Sequence, residues 1–342
     1  MARLTMPENK KFVFVLGAGA SKDFGYPTGA ELIKTIVGYK HDSFFIKFME
    51  GYGISGGDIG IFSDSLEGSG LNSIDAFLSR VLARKEKQPV DFEKIGRASI
   101  TYAILFAEKA SNRQRLVFNF DDNWYRHIFN FLNDGYEVLH NGRVRFITFN
   151  YDLSLEYYIG KTYFFRNYIY SVTPEEQNAY SEFLDKIKIL HLYGSAGKLY
   201  TKDSREYGTV DNLFDFYKKH LFWRIAESIE IVRPDVSDKT QTIFKEVQRY
   251  LTEADYIFFL GFGFDSLNME RLGLHEVFQE NLQDRLFYTT AYGADNSSIY
   301  DFENRICPSE EIRENIYTRG EKDEKIVSFL KNKCFILSQL KD

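Results

Sequence analysis

The chain contains only two cysteines, Cys307 and Cys334, among its 342 residues. Two cysteines cannot form a disulfide framework or a four-cysteine zinc site, so we expect no zinc and no other structural metal. No apolar run approaches the roughly 18 residues that a membrane span requires. The polar stretch Met1 to Lys10 is too short for a signal peptide. We therefore expect a cytoplasmic protein that does not bind a membrane.

Basic residues are also fewer than acidic residues. The sequence has 43 Lys and Arg against 49 Asp and Glu, which gives a formal net charge of −6. Binding along a nucleic-acid backbone requires basic patches, so we expect no direct contact with nucleic acid. Aromatic residues are abundant, with 32 Phe and 23 Tyr. This composition argues against disorder and suits one large α/β domain with insertions, or two domains.

The most informative segment is Gly17-Ala18-Gly19-Ala20-Ser21, which directly follows the apolar run Phe12 to Leu16. A β-rich run that ends in Gly-x-Gly predicts a strand, a tight turn and a helix, with backbone N–H groups directed at an anion such as phosphate. A Walker loop would need Ser or Thr after Lys22, and the dehydrogenase fingerprint would need glycine in place of Lys22. An ordinary strand-to-helix turn therefore stays open as an alternative.

Further apolar runs predict four more strands, at 144–149, 187–192, 256–260 and 286–291. Together with the intervening helical patterns, they predict an α/β fold: a Rossmann-like, mostly parallel sheet with helices on both faces. Residues 38–140 predict a mostly helical insertion after the first βα unit. Within it, the glycine-rich part 38–72 predicts a long loop, and Ser73 predicts the N-cap of a helix with Asp75 in its first turn.

The predicted organisation is one domain, 1–300, followed by a C-terminal helical extension, 301–342. The domain has its core at 11–37 and 141–300, and the insertion 38–140 lies between these two parts. In the extension, one helical face carries Ile326, Phe329, Leu330, Cys334 and Leu337. Such a face predicts a helix docked on the same domain, with an oligomer contact as the alternative.

Polar side chains follow the successive predicted strands. They are Ser21, then Asn150 and Asp152, then His191, Tyr193 and Ser195, and finally Gly263, Asp265, Ser266 and Asn268. Asn150 and Asp152 are also common turn formers, and His191 in an apolar strand also suits a core histidine. Because ligands of parallel sheets bind at the carboxyl ends of the strands, their joint occurrence indicates a binding site.

Four motifs in this order resemble the sirtuin family, and more closely the bacterial sirtuin-like proteins of anti-phage defence. They are Gly17-Ala18-Gly19-Ala20-Ser21 with Gly25-Tyr26-Pro27, Thr148-Phe149-Asn150-Tyr151-Asp152, His191-Leu192-Tyr193-Gly194-Ser195, and Leu260-Gly261-Phe262-Gly263. The segment Ser73 to Leu78 is similar to one found in the defence group. The resemblance covers about residues 11–295, and it implies that 1–300 form a sirtuin-like NAD-binding domain.

The resemblance implies a role for each motif. Asn150 would lie beside the nicotinamide ribose and the attacking water, and Asp152 would help to form the nicotinamide pocket. His191 would be the third catalytic residue, although the family's histidine directly precedes Gly-Ser, where this chain has Tyr193. Two residues on a strand share a face about 6.6 Å apart, so either side chain could face the ribose. The implied NAD-binding residues are Gly17, Ala18, Gly19, Ser21, Pro27, Tyr193, Gly194, Ser195, Gly261 and Gly263.

The implied activity is NAD+ hydrolysis at the nicotinamide–ribose bond, which depletes NAD+ in abortive infection. Protein deacylation fits less well, because 196–306 contain no cysteine for the family's zinc module and Thr28-Gly29-Ala30 replaces its Asp-Phe-Arg. A weakly catalytic scaffold that binds NAD or ADP-ribose is a further alternative. The resemblance also implies a homo-oligomer and a separate partner, such as a HerA-type ATPase or a short Argonaute complex.

Overall fold

The computed structural model describes residues 9–84, 87–110, 123–131, 136–167, 182–197, 219–231, 238–278, 285–307 and 309–339. Within these residues, six strands form one sheet in which every neighbouring pair is parallel. They are β1 (Phe12–Leu16), β2 (Val144–Thr148), β3 (Ile189–His191), β4 (Tyr256–Leu260), β5 (Leu286–Thr289) and β6 (Tyr317–Arg319). The order β3-β2-β1-β4-β5-β6 is that of doubly wound dinucleotide-binding folds. The predicted Rossmann-like α/β class is confirmed.

Aromatic side chains run across the middle of the sheet. Phe146, Phe14, Phe258 and Tyr288 occupy paired positions on β2, β1, β4 and β5. Their neighbouring rings stack with centroids 5.4, 5.0 and 4.7 Å apart. Stacked cross-strand pairs stabilise one register, since a slip by one residue would move each ring to the other face. The carboxyl ends of the central strands are thereby held level at one edge.

Helices flank this sheet. Those between β1 and β2 are Gly29–Gly38, Ser43–Glu50, Gly56–Gly68, Ile74–Leu82, Phe92–Ala110, Trp124–Phe131 and Tyr136–His140, with short 3-10 helices at Ala18–Phe24 and Tyr39–His41. The later ones are Ser154–Asn167, Lys219–Glu227, Asp238–Glu253, Ser266–Leu272, Leu274–Val277, Asn296–Ile306, Glu310–Ile316 and Ile326–Gln339. None of the helices in the described ranges has both the length and the apolar character needed to cross a membrane.

The loop predicted for 38–72 is wrong, because two helices, Ser43–Glu50 and Gly56–Gly68, occupy most of it. A capping box begins the second helix: Ser55 Oγ accepts from the Asp58 N–H at 3.1 Å, and Asp58 accepts from the Ser55 N–H at 3.0 Å. The apolar side chains at helical spacing are buried, namely Ile59, Phe62 and Leu66. Burial of this face and the cap outweigh the roughly 1 kcal/mol that each interior glycine costs.

The C-terminal segment 301–342 is not helical throughout. Tyr317–Arg319 form β6 and pair with β5, so the sheet extends into this segment. Helix Ile326–Gln339 packs against Trp124–Phe131, with Phe329 and Leu330 fully buried. The helix is therefore docked on its own domain, as the first of the two alternatives predicts, while the side chains of Cys334 and Leu337 lie outside the described residues.

Candidate functional site

The loops that follow β1 and β4 meet where the strand order reverses. The Gly17 N–H donates to the Leu260 carbonyl and the Gly19 N–H to the Gly261 carbonyl, both at 3.0 Å. A Cβ on Gly17 would lie 2.4 Å from the Gly261 oxygen. A Cβ on Gly261, whose φ is +58°, would lie 2.0 Å from the Ala20 nitrogen. The close approach of the two backbones therefore requires glycine at both positions, whether or not a ligand binds.

A cleft of about 680 Å³ opens at this edge of the sheet, a size typical of small-molecule sites. Eight of the thirteen predicted site residues line it: Gly17, Ala18, Ser21, Pro27, Asn150, Asp152, Tyr193 and Gly263. The other five do not line it: Gly19, His191, Gly194, Ser195 and Gly261. The structure therefore brings residues from all four motifs into one cleft.

Asn150 lines this cleft and carries an acceptor that has no partner among the described residues. Its side-chain NH2 donates to Ser21 Oγ at 2.9 Å, and its backbone N–H donates to Thr148 Oγ1 at 3.0 Å. The residue is 7% exposed, and its Oδ1 is buried without a hydrogen-bond partner among the described residues. An unsatisfied buried acceptor costs about 1–3 kcal/mol. Oδ1 is therefore the group of Asn150 that remains able to accept a hydrogen bond from a ligand hydroxyl or from a water molecule.

Asp152 combines a structural role with its place in the cleft wall. Its Oδ1 accepts from the Ser154 N–H at 3.0 Å and also from the Ser154 hydroxyl. Ser154 Oγ lies 2.7 Å from the Tyr125 hydroxyl. The carboxylate thus caps the start of helix Ser154–Asn167, as expected of a turn-forming Asp, while the residue still lines the cleft.

His191 lies at the end of β3, behind the cleft wall. Its Nδ1 is 2.9 Å from the Asn150 carbonyl oxygen, and its Nε2 is 2.6 Å from Glu156 Oε1. Burial lowers the pKa of His191, but Glu156, the Asn150 carbonyl and Asp152 together outweigh burial and raise the pKa overall. Both ring nitrogens are thus engaged by protein groups, and neither is directed at the cleft.

Tyr193 lines the cleft in the place where the family has its histidine. Its hydroxyl accepts from Arg271 and donates to Asn268 Oδ1. The Arg271 guanidinium also lies over the Tyr193 ring, 5.0 Å from its centre. Burial raises the pKa of Tyr193. The phenol is therefore neutral near pH 7 and is not a base there.

Gly194 and Ser195 form a turn that faces away from the cleft. Gly194 has a φ of +68°, and a Cβ there would lie 2.0 Å from the Ser228 carbonyl oxygen. The Ser228 hydroxyl in turn donates to the Ser195 carbonyl at 2.5 Å. The Gly-Ser pair of the third motif thus holds the segment around Ser228 in place.

Asp75 also lines the cleft, although it is not among the site residues predicted from the sequence. It lies in the first turn of helix Ile74–Leu82, where an acidic residue is already expected from the helix dipole. Its Oδ1 accepts from the Tyr151 hydroxyl. Burial raises the pKa of Asp75 to about 6, opposed in part by Tyr151 and Arg271. The only sequence signal for a role in the site is that the segment Ser73 to Leu78 is similar to one found in the defence group.

Four helices begin at the cleft. The residues that cap them, Thr28, Ser73, Asp265 and Asp295, all line it, and each accepts from a backbone N–H in the first turn. Helix N-termini carry partial positive charge and favour anions. Four carboxylates also line the cleft, those of Asp75, Asp152, Asp265 and Asp295, and its described lining includes no Lys or Arg. A phosphate would therefore be bound by backbone N–H groups, and a cationic group by carboxylates.

Comparison with known proteins adds no family assignment. A scan against protein-family models and a search of curated proteins both found no match to this chain. The fold and the arrangement of the cleft therefore carry the functional argument.

Proposed function

We propose that this chain is an NAD+ glycohydrolase, which breaks the nicotinamide–ribose bond and depletes NAD+ in anti-phage defence. The observation that carries the proposal is the buried Oδ1 of Asn150, an acceptor without a partner among the described residues. Asn150 lines a cleft at the carboxyl edge of a doubly wound sheet, where such folds bind dinucleotides. The four motifs that resemble sirtuins contribute to this same cleft.

The reaction makes modest demands on the protein. The bond between ribose C1′ and the nicotinamide nitrogen breaks, its electron pair stays with nicotinamide, and positive charge develops on the ribose. Water adds to C1′ and releases a proton to solvent, which gives ADP-ribose. Asn150 Oδ1 would orient that water or a ribose hydroxyl by accepting its hydrogen bond.

The electrostatics of the cleft suit this substrate. NAD+ combines a cationic nicotinamide ring with an anionic pyrophosphate. The carboxylates of Asp75 and Asp152 would stabilise the ring and the positive charge of the transition state. The start of helix Gly29–Gly38, whose cap Thr28 is uncharged and lines the cleft, would bind the pyrophosphate.

A scaffold that binds NAD or ADP-ribose without cleaving it is the second candidate. The observation that favours it is the lack of a histidine in the described lining of the cleft: His191 is held by Glu156 and Asn150, and Tyr193 is a neutral phenol. Protein deacylation gains no support from these contacts. On the resemblance alone, we also propose that activity is controlled by a homo-oligomer or by a separate partner, such as a HerA-type ATPase or a short Argonaute complex.

Hydrolysis of etheno-NAD+ tests the proposal. The purified chain should be assayed alone and with the products of neighbouring genes, and nicotinamide and ADP-ribose should be quantified by chromatography. Turnover that does not depend on an acetylated peptide supports the glycohydrolase. Release of nicotinamide only with such a peptide would indicate a deacylase. Calorimetric binding of ADP-ribose with no turnover in any assembly would indicate the scaffold.

A further inference from the structure

The two hydrogen bonds of His191 determine its protonation state. Nδ1 faces the carbonyl oxygen of Asn150 at 2.9 Å, and Nε2 faces Glu156 Oε1 at 2.6 Å. A carbonyl and an ionised carboxylate only accept hydrogen bonds, so beside an ionised Glu156 both ring nitrogens carry a hydrogen. Neutral imidazole has only one N–H, and the imidazolium ion has two. The geometry therefore corresponds to a cationic His191.

The charged groups around His191 agree with this state. Glu156 faces it from helix Ser154–Asn167, and Asp152 faces it from the loop after β2. Burial disfavours a cation, but these two carboxylates and the Asn150 carbonyl together raise the pKa of His191 above its ordinary value. A cation held in this way cannot remove a proton from a ligand.

We propose that Glu156 and His191 form a positioning pair: Glu156 holds His191 as an imidazolium ion, and His191 fixes the backbone of Asn150 so that the Asn150 amide oxygen faces the cleft. The catalytic consequence of this inference rests on the proposed function. The Glu156–His191 pair and its hold on the Asn150 backbone do not. The resemblance to sirtuins implies that His191 acts on the substrate. The proposal instead makes His191 a positioning residue.

Asn150 is held at three of its four polar groups. Its N–H donates to Thr148, its carbonyl accepts from His191, and its side-chain NH2 donates to Ser21. Oδ1 is the fourth group and has no described partner. Loss of the His191 contact would let the peptide at Asn150 rotate, and a displacement of about 1 Å is enough to reduce a rate by about 100-fold.

Glu156 lies in the first turn of helix Ser154–Asn167, and its Oε1 contacts His191. It is largely buried, with 14% of its side chain exposed, and its Oε2 has no hydrogen-bond partner among the described residues. A buried carboxylate with one unsatisfied oxygen is costly unless a cation lies beside it. Its cation is His191, and replacing His191 by alanine would leave that carboxylate unpaired. The clean test therefore changes Glu156, whose Gln variant keeps the size and the hydrogen bond.

Nitrogen-15 NMR of the side chains tests the protonation state without any turnover. The chain has six histidines, and the His191 signals are assigned by their absence in His191→Gln. At neutral pH, both His191 nitrogens should be protonated, whereas His127 and His140 should be neutral, because burial lowers the pKa of each. Glu156→Gln should make His191 neutral and leave the other two unchanged. A neutral His191 in the unmodified protein would overturn the proposal.

Kinetics test the positioning role. His191→Ala should lower kcat for NAD+ by about 10-fold or more while KM changes by less than about 2-fold, because the contact that holds the Asn150 peptide is lost. Glu156→Gln should lower kcat less, because a neutral His191 can still donate its Nδ1–H to the Asn150 carbonyl while the Gln amide donates to Nε2. His191→Gln, whose amide can still donate to the Asn150 carbonyl, should retain more activity than His191→Ala. Glu67→Gln, which alters an exposed partner of Lys40, is the control and should leave kcat unchanged.

The pH profile separates positioning from general base catalysis. If His191 were a general base, His191→Gln and His191→Ala would lose activity equally. In the unmodified protein, kcat would then rise with pH as His191 loses its proton. A positioning cation predicts the reverse: kcat falls as pH rises through the raised pKa of His191. If no assembly hydrolyses NAD+, the proposed function fails, while the NMR result still decides whether the pair exists.

Discussion

The side-chain amide of Asn150 donates a hydrogen bond to Ser21 Oγ at 2.9 Å. This bond connects the end of β2 to the glycine loop after β1, and both residues are buried. Because the NH2 group is engaged by Ser21, the amide oxygen is the side-chain group of Asn150 left without a described partner. Ser21, for which the resemblance to sirtuins implies NAD binding, thus also sets the orientation of the Asn150 amide.

Asn150→Ala should abolish NAD+ hydrolysis and leave the fold intact. Removing one preorganised polar group from such a site lowers kcat by about 100-fold or more. Thermal stability should change little, because deleting the unsatisfied Oδ1 offsets the loss of the hydrogen bond to Ser21. Etheno-NAD+ turnover and thermal unfolding measure the two effects. Asn130→Ala, at an exposed helix position, is the matched control. Full activity in Asn150→Ala would show that the site is assigned to the wrong residues.

Gly261→Ala should destabilise the protein severely. The position has a φ of +58°, and the new Cβ would lie 2.0 Å from the Ala20 nitrogen. Strain of this kind, in a contact between two backbones, is expected to cost more than about 3 kcal/mol. Urea unfolding measures the loss. Gly60→Ala is the control: its Cβ would meet nothing within 4 Å, and alanine should stabilise that helix by about 0.5–1 kcal/mol. Equal stability of the two variants would contradict the loop contact described above.

The fold was predictable where the signal is local. β1 and β4 match their predicted bounds because both are continuous apolar runs buried on both faces. The loop predicted for 38–72 is wrong because the Ser55 cap and the buried helical face outweigh the cost of the glycines. β6 gave no sequence signal, since Tyr317–Arg319 are only partly buried and are extended by pairing with β5.

The site was predictable only in part, for a similar reason. Asn150 and Asp152 follow a strand directly, so sheet geometry alone places them at the ligand edge. Asp75 and Arg271 reach the site from helices that are distant in sequence, and only the tertiary packing brings them together. Gly194 and Ser195 match a family motif, yet a turn against Ser228 accounts for both.

Asp75→Asn should stabilise the protein at alkaline pH and have no effect at acid pH. The pKa of Asp75 is raised by burial from 3.8 to about 6, so between these values the folded state binds more protons than the unfolded state. Stability from this group is therefore complete below about pH 4 and is lost as pH rises through about 6. The variant removes that loss and still accepts from Tyr151. Urea unfolding across this range should show a difference on the order of 2–3 kcal/mol at about pH 8 that vanishes near pH 4. A difference that is independent of pH would contradict a buried, titrating Asp75.

Tyr193→Phe should weaken both the fold and the cleft wall without changing the pH dependence of catalysis. The variant removes the acceptor of Arg271 and the donor of Asn268, and the loss of buried partners costs about 1–3 kcal/mol. Since burial raises the pKa of Tyr193, the phenol is neutral throughout the neutral range and contributes no titration to kcat.

The pH profile of etheno-NAD+ turnover decides the role of Tyr193. Under the interpretation above, Tyr193→Phe lowers kcat by the same factor at every pH between about 6 and 9, because the phenol only holds Arg271 and Asn268 in place. A base or an acid at this position would instead remove one limb of the profile. Tyr292→Phe is the control, since Tyr292 is 66% exposed and should change neither stability nor rate. A change of profile shape in Tyr193→Phe would place Tyr193, where the family has its histidine, among the groups that exchange protons with the substrate.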